Sequence, residues 1–459
     1  MAELVWDGKY DGDGARHRPR LPVVSLRTVE AGGVPSGDAP GMPMDSQANR
    51  LIAGETQWVL PALLPEFAGQ IKLIYIDPPF ATGLDFTSRI TLPGSAPAAR
   101  VTRIAYRDTW ADLDSYLRWL DETLALLRDL LADDGALMLH CDWRAEGMLR
   151  LLLDDIFGAE NFRNAIIWSY RSGGASRRES LARKHDTILL YAKSPRFAIR
   201  PQTERQYLRK PFMGSRRDAQ GRHYVDTLLR DVLEGEITCV GPDEALVRYN
   251  VRPVLNLARE RLDYPTQKPL GLLRLLLTLA SDPDDLVLDC CCGSGATALA
   301  AESLGRRWIA ADASPLAIQT TRKRLLDLAE PRPFGVQRPL LEDTPGASTE
   351  DARLDVAVEL VGCTVTARLT GYSPPSGSIL AAALSEGETA PGLHCLDSWS
   401  VDWDYNGVTF RHRAHAARSR TGAHALPTTL AHTYAASGRH TVAIHAVDFA
   451  GHEATWVVG

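Results

Sequence analysis

Between residues 46 and 330 the chain alternates short apolar runs with longer stretches of helical periodicity, and this repeated switch of period most constrains its fold. IKLIYI (71–76) is β-branched and closed by a turn signal, the pattern of a strand buried on both faces. YLRWLDETLALLRDLLADDG (116–135) has apolar residues at helical spacing and is expected to stop at Gly135, where ALMLHCD (136–142) begins the next strand. DTILLYA (186–192) reads as a further strand and LGLLRLLLTLA (270–280) as a helix. DLVLDCCCGSG (285–295) reads as a strand entering a glycine turn, followed by the helix ATALAAESLG and the strand RRWIAAD (306–312). Such alternation predicts an α/β domain around a largely parallel sheet.

Beyond about residue 352 the pattern changes to short alternating runs, among them LDVAVELV, CTVTARLT, HTVAIHAVDF and EATWVV, separated by turn residues. That predicts a small all-β, sandwich-like domain. HTYAASGRHTVAIHAVDFAGHEA loosely resembles the closing strands of PKD-like, immunoglobulin-like modules. The Gly/Pro-rich segment AGGVPSGDAPGMP (31–43) and the broken stretch 331–351 read as linkers. The expected organisation of the 459 residues is an N-terminal extension and linker (1–45), the α/β domain (46–330), a linker (331–351) and the β-rich C-terminal domain (352–459).

No apolar run approaches the roughly 20 residues needed to span a bilayer, and the acidic, Gly-rich start MAELVWDGKYDGDG lacks the basic and apolar regions of a secretory signal. A cytoplasmic protein is expected. The seven cysteines, three of them consecutive (Cys290, Cys291, Cys292), fit no zinc pattern and read as reduced buried thiols, so no metal is expected. The net charge of −6 argues against a general nucleic-acid binder, yet Arg171–Arg222 holds 14 Lys/Arg against 4 Asp/Glu. A basic island in an acidic chain is the footprint of a local phosphate-contacting surface.

Three motifs carry chemistry. Asp77-Pro78-Pro79-Phe80 follows the strand 71–76. Two prolines stiffen the backbone and remove two donors, leaving a rim with a carboxylate, bare carbonyls and an aromatic face. An exocyclic amine suits that rim: Asp77 can accept one hydrogen, the Pro78 carbonyl the other, and Phe80 can stack on the base. In Asp289-Cys290-Cys291-Cys292-Gly293-Ser294-Gly295, glycines at a strand-to-helix turn admit a ligand to the backbone, and Asp312 stands at the next strand end, where an acid commonly accepts ribose hydroxyls. Gly293-x-Gly295-x-x-Ala298 also fits a nicotinamide fingerprint, but a dinucleotide fold needs a second βαβ half, and the chain turns all-β soon after Asp312. A single adenosine-type ligand fits better. Tyr264-Pro265-Thr266-Gln267-Lys268-Pro269 precedes the helix 270–280, where Thr266 and Lys268 can meet a carboxylate.

In this order, DPPF, a basic variable stretch, YPTQKP, the Asp-led glycine turn and the acidic strand end resemble the β group of amino-directed (N6-adenine/N4-cytosine) DNA methyltransferases, in which the catalytic half precedes the cofactor half. The resemblance covers about residues 46–330, takes in 140–170 and 183–194, and is similar in style to Type III modification subunits and solitary adenine methyltransferases. It implies a permuted Rossmann-like fold dependent on S-adenosyl-L-methionine. Asp77, Pro78, Pro79 and Phe80 match the catalytic motif; Asp289, Gly293 and Gly295 the cofactor loop; Asp312 the ribose acid; Thr266 and Lys268 the segment holding the methionine end. The family's aromatic beside the cofactor is Cys291 here, its strand-end Gly-Asp pair is Gly54-Glu55, and the β domain has no counterpart in the minimal family.

C5-cytosine chemistry needs a thiolate, which in that family follows a proline, and no Pro-Cys dipeptide occurs. Asp in the first motif position favours N6 of a flipped adenine in double-stranded DNA. N4 of cytosine is the alternative, as is a weakly catalytic subunit that recognises DNA for a partner nuclease. A homodimer and a restriction or defence-system partner are compatible with the resemblance. Arg171, Arg177, Arg178, Arg183 and Lys184, around the loop RSGGAS, are the expected DNA-clasping residues, and 195–250 the target-recognition insert. Neutralising Arg177 and Arg178 together is expected to weaken binding to all duplexes alike and to lower the salt slope by roughly 0.9 per lost phosphate contact. Filter binding on cognate and scrambled duplexes at several salt concentrations checks this, and a loss confined to the cognate duplex would reassign both residues to base reading.

Overall fold

The computed structural model describes all residues except 1–2, 17–20, 34–47, 93–99, 172–180, 242, 256–257, 259, 263, 341–351, 384–391 and 419–424. Its first half runs β1 (Ser25–Gly32), β2 (Asn49–Ala53), α1 (Thr56–Phe67), β3 (Ile71–Ile76), the hairpin β4 (Leu84–Thr91) and β5 (Arg100–Asp108), α2 (Leu113–Leu130), β6 (Leu131–Cys141), α3 (Glu146–Phe157), β7 (Phe162–Ser169) and β8 (His185–Ala192). An inserted group follows: β9 (Thr203–Leu208), β10 (Arg216–Arg217), β11 (His223–Leu228), β12 (Val232–Glu234), β13 (Glu236–Val240) and β14 (Leu246–Asn250). Then come α4 (Leu270–Ala280), β15 (Leu286–Asp289), α5 (Ala296–Ser303), β16 (Arg307–Asp312), α6 (Pro315–Leu326) and β17 (Phe334–Leu340).

Eleven strands form one sheet in the order β12-β7-β8-β6-β3-β15-β16-β2-β17-β1, closed by Phe410–Arg411 of the C-terminal region. From β6 to β17 every pairing is parallel. This is the Rossmann-like α/β architecture in permuted order, since β3 and the DPPF motif after it precede β15 and its glycine turn in the chain. Alternation along β3 sends Leu73 and Tyr75 to the face covered by α4 and α5, and Ile74 and Ile76 to the face covered by α1, α2 and α3. The helix expected to stop at Gly135 stops at Leu130, because the β6 pairing begins at Leu131 with a register shift against β3. Gly135 lies inside that irregularity, where a Cβ would sit 2.8 Å from the Ile71 carbonyl oxygen. The insert forms its own five-stranded sheet, β10-β11-β9-β13-β14.

Two segments read from the sequence as extension and linker contribute strands to the central sheet. β1 pairs antiparallel with β17, and β17 in turn pairs with β2. Each is buried at one end only, Glu30–Gly32 in β1 and Phe334–Val336 in β17, and lies next to glycine and proline, so neither registers as a strand by periodicity alone. Nearer the N-terminus, Trp6 is buried and Lys9 lies 2.8 Å from Asp155 of α3.

The C-terminal β domain comprises β18 (Arg353–Val361), β19 (Thr364–Ser373), β20 (Leu396–Asp402), β21 (Phe410–Arg411), β22 (Ala414–Ala417), β23 (Thr429–Thr433), β24 (Val442–Asp448) and β25 (Glu453–Val458). Apart from β21 they form a three-stranded and a four-stranded sheet over a shared core around Trp399 and Trp403. β21 pairs with β1, and a buried ion network joins the two domains. Arg322 Nη1 lies 2.6 Å from Glu30 and 3.1 Å from Glu453, and His412 Nε2 lies 2.8 Å from Glu30. Glu30, His445 and Glu453 offer a metal-like grouping, but the guanidinium already contacts both carboxylates. Burial alone would raise the Glu30 carboxyl, but Arg322 and the nearby histidines outweigh it and hold it at about 2. Its stabilisation is therefore present above the ordinary carboxylate range and is lost as pH falls toward about 2. Glu30→Ala leaves the buried Arg322 with Glu453 alone and His412 without its carboxylate, and is expected to cost about 3 kcal/mol, whereas Glu66→Ala, which breaks a half-exposed pair with Arg50, should cost under about 1 kcal/mol. Urea unfolding of both variants checks the contrast.

Candidate active site

Neighbouring parallel strands bring their C-terminal ends to one edge. β3 pairs with β15 (Leu288 beside Ile74), β15 with β16 (Asp289 beside Ala310), and β16 with β2 (Asp312 beside Ala53). Asp77, Asp289, Asp312 and Glu55 therefore emerge in a row at the strand ends, about 4.8 Å apart from strand to strand. The chain leaves β3 toward β6 on one side and β15 toward β16 on the other, so the row straddles a topological switch point, where α/β sheets open a crevice. A cavity of about 800 Å³ fills it, and all four acids line the wall.

At one end is the DPPF turn. Lys268 Nζ lies 2.6 Å from Asp77 Oδ2, while the buried Oδ1 has no hydrogen-bond partner among the described residues. The Pro79 carbonyl accepts from the Tyr116 hydroxyl at 3.0 Å, and the Phe80 ring stacks near His140 with 6.3 Å between centroids. Ala81 follows in the left-handed region (φ 53°), strained for a residue with a Cβ. Asp108, at the end of β5, holds this turn: its carboxylate accepts from the amides of Phe80, Ala81 and Thr82 at 3.2, 2.9 and 2.9 Å. Tyr75, His140, Asp186 and Tyr170 form a hydrogen-bonded wall beside it, with Tyr75 to His140 at 3.0 Å and His140 to Asp186 at 3.2 Å.

At the other end is the glycine turn. Gly293 (φ 49°) lies under Tyr264, where a Cβ would come 3.2 Å from the ring, and its amide donates to Asp312 Oδ2 at 2.8 Å. Gly295 does not line the cavity; it starts α5 at φ 76° against Thr321, where a Cβ would come within 2.5 Å of Oγ1, so its part is helix packing. Burial pushes the Asp289 carboxyl up to about 7, with hydrogen bonds from Thr297 and the Cys291 amide only partly offsetting it. Asp312 is raised to about 6 by burial, lowered in part by the Ser314 and Gly293 amides, with Glu55 after the neighbouring strand adding to the rise. Cys292 is raised by burial, and Cys291 by its neighbour Cys290 and by burial, so neither is an activated thiolate.

Thr266 lines the cavity at φ 53°, its Oγ1 3.1 Å from the Tyr106 hydroxyl. Lys268, expected beside the cofactor-side residues, instead pairs with Asp77. Arg171 and Lys184 follow and precede the ends of the β7–β8 pair, outside the lining of the cavity; Arg171 lies 2.7 Å from Glu234, and the Arg183 guanidinium sits 3.5 Å over the Trp143 ring. Arg177 and Arg178 lie outside the described residues. Asp108, Tyr106, Tyr264, His140 and Asp186 were not singled out from the sequence. Tyr264 opens the YPTQKP motif without having been given a part, His140 and Asp186 lie in the family-like segments 140–170 and 183–194, and the only trace of Asp108 is a lone acid between an aromatic strand and Trp110.

Residues 71–323 match the sequence model of the N6_N4_Mtase family, described as DNA methylase. Among curated relatives, the chain is 30% identical over 324 residues to the Type II methyltransferase M.EcaI of Enterobacter cloacae, covering 60% of this chain and 69% of that one. It is 24% identical over 328 residues to the StyLTI Mod subunit of a Type III restriction-modification enzyme from Salmonella typhimurium, covering 56% of this chain and half (50%) of that one. Among solved structures, the M1.HpyAVI–SAM complex aligns at 18% identity with a TM-score of 0.38, over 61% of this chain and 100% of that one. The family match takes in both the DPPF turn and the glycine turn that face each other across the cavity, and the chain belongs to the N6/N4 DNA methylase family.

Proposed function

We propose that the chain moves a methyl group from S-adenosyl-L-methionine to N6 of an adenine flipped out of duplex DNA. The observation that carries this reading is the Asp77 carboxylate: one oxygen is tied to Lys268, and the other, buried and unpartnered, lies in the cavity shared with the glycine turn. A buried acceptor without a donor is costly unless a ligand supplies one. An exocyclic amine supplies it, and Asp77 is then placed to take the proton that the nitrogen releases. Lys268 fixes the carboxylate's orientation, Asp108 fixes the turn that presents it, and Phe80 gives the extruded base a face to stack on. The Pro79 carbonyl is occupied by Tyr116, which leaves the Pro78 carbonyl as the second acceptor in this reading.

The glycine turn fits an adenosine cofactor. Gly293 brings bare backbone to the cavity, and Asp312 and Glu55 are acceptors for ribose hydroxyls. S-adenosylmethionine, when bound, supplies the electrophilic methyl group. Asp rather than Ser before Pro-Pro favours adenine over cytosine in this family, and the relative named as the DNA adenine methyltransferase YhdJ of Escherichia coli supports the same choice. Type III Mod relatives support a restriction-system partner. Among the described residues no helix is long and apolar enough to cross a membrane.

Asp77→Ala is expected to lower methyl transfer at least about 100-fold with cofactor affinity near normal. Asp77→Asn, which keeps the shape but turns an N–H toward the amine, should lose as much. Labelled-methyl transfer, calorimetry and mass spectrometry of the digested nucleosides check rate, affinity and base together. N4-methylcytosine as product would overturn the adenine reading, and a cofactor affinity that falls as far as the rate would overturn the division of labour.

The raised Asp312 gives a pH dependence with a definite sign. Below about 6 its carboxyl is protonated in the ligand-free chain and is a poor acceptor, so S-adenosylmethionine affinity should rise as pH climbs from about 5 to 7. Asp312→Ala should weaken binding above that range by about 1–3 kcal/mol and flatten the step, with DNA affinity little changed. Calorimetry across the range reads both effects, and an unchanged dissociation constant would rule out the ribose role.

A further inference from the structure

The inserted sheet carries an apolar turn at the end of its strands that adjoins the strands leading into the cavity. β9 runs antiparallel to β13, with Glu204 beside Cys239 and Thr203 beside Val240, so the chain leaving β9 at Leu208 heads toward the start of β13. That start adjoins β12, whose Glu234 pairs with Ser169 at the end of β7, and the next residue of that strand's chain, Tyr170, lines the cavity. Asn250, paired with Glu236 at the same end, leads into Pro253 and Val254, which also line it.

At this end the chain makes a closed turn. The Ser215 amide donates to the Phe212 carbonyl at 2.9 Å, the Phe212 amide donates to Ser215 Oγ at 3.1 Å, and Gly214 takes φ 84°. Pro211 stiffens the entry. The turn presents Phe212, 70% exposed, and Met213, 90% exposed. Two large apolar side chains held in water on an ordered turn mark a contact site rather than a core. Around them Arg209, Lys210 and Arg217 are exposed and have no acidic partner among the described residues, while Arg216 is bound to Asp226.

We propose that Phe212 and Met213 are a wedge that enters the base stack of the duplex beside the extruded nucleotide, with Arg209, Lys210 and Arg217 on the flanking phosphates. This rests on the reading of duplex DNA as substrate. Apolar side chains of this kind insert between base steps and offset the loss of stacking, and a basic collar suits a polyanion better than it suits a protein core. The cavity takes one base, and the wedge occupies the space that base leaves.

The test uses the full chain and a duplex carrying the sequence found modified in cells that express it, prepared once with adenine at the target position to read methyl transfer and once with 2-aminopurine there to read extrusion by fluorescence. The double variant Phe212→Ala, Met213→Ala should bind S-adenosylmethionine normally, which reports an intact fold. On the paired duplex its fluorescence gain should fall and its kcat/KM should drop by about tenfold or more, the scale of unstacking a base step. On a duplex with an abasic site opposite the target, where extrusion is already easy, the variant should return to within about threefold of wild type. Equal losses on both duplexes would reduce the turn to a general contact, and no loss on either would remove it from DNA binding; each overturns the wedge. Loss of binding to anionic vesicles with DNA behaviour unchanged would do the same in favour of a membrane. Failure of the wild-type chain to methylate any duplex would count against the function itself, whereas the fluorescence gain still reports the wedge.

Discussion

The site depends on a very short stretch of pairing, Val287 with Leu73 and Leu288 with Ile74. These residues join the strand that ends in the DPPF turn to the strand that ends in the glycine turn, though more than two hundred positions separate them in the chain. Side chains on a strand alternate with period two, so a slip of one residue would send Leu73 to the opposite face and exchange the two cores. Those cores, one against α4 and α5 and the other against α1 to α3, therefore fix the register. Once it is fixed, Asp77 and Asp289 can only emerge side by side.

What the strands place, the β4–β5 hairpin holds. Asp108 at its base ties the backbone after Asp77, and Tyr106 reaches the segment after Tyr264 through Thr266. The Ala105 carbonyl accepts from Ser314, the cap of the helix after Asp312. Its far end is packed differently: Leu92 and Val101 belong to the core of the C-terminal β domain. That domain grips α6 through Gln319, Arg322 and Lys323 and adds a strand to the central sheet. It braces the two elements that bracket the cavity, which a domain tethered by a flexible linker could not do.

The sequence was legible where one local pattern decides the outcome. The strand 71–76 and the helix 270–280 have the bounds read from periodicity, because each is apolar but for one charged residue, Lys72 or Arg274, and stops at a turn signal. β1 and β17 were not legible, since a strand whose partner lies three hundred residues away gives no local sign that it belongs to a sheet. The same holds in the site. Asp77, Gly293 and Asp312 stand in motifs whose chemistry is local. Asp108 acts through amides 26 to 28 residues distant, and Lys268 through a carboxylate 191 residues away, so their parts depend on the folded register.

The distribution of charge follows from the same geometry. Strand ends gather acids on the cavity floor, and burial raises Asp289 and Asp312 because water is excluded from them. A sulfonium cofactor with a free amino group is the kind of ligand such a floor favours. DNA is not, and acids at the surface would repel it. The basic residues sit elsewhere, with Arg171 and Lys184 beside the ends of the β7–β8 pair and Arg209, Lys210 and Arg217 around the inserted turn, none of them lining the cavity. An overall charge of −6 hides this separation of the two signs, which in the proposed reading suits a cationic cofactor at the acids and a polyanion at the basic residues.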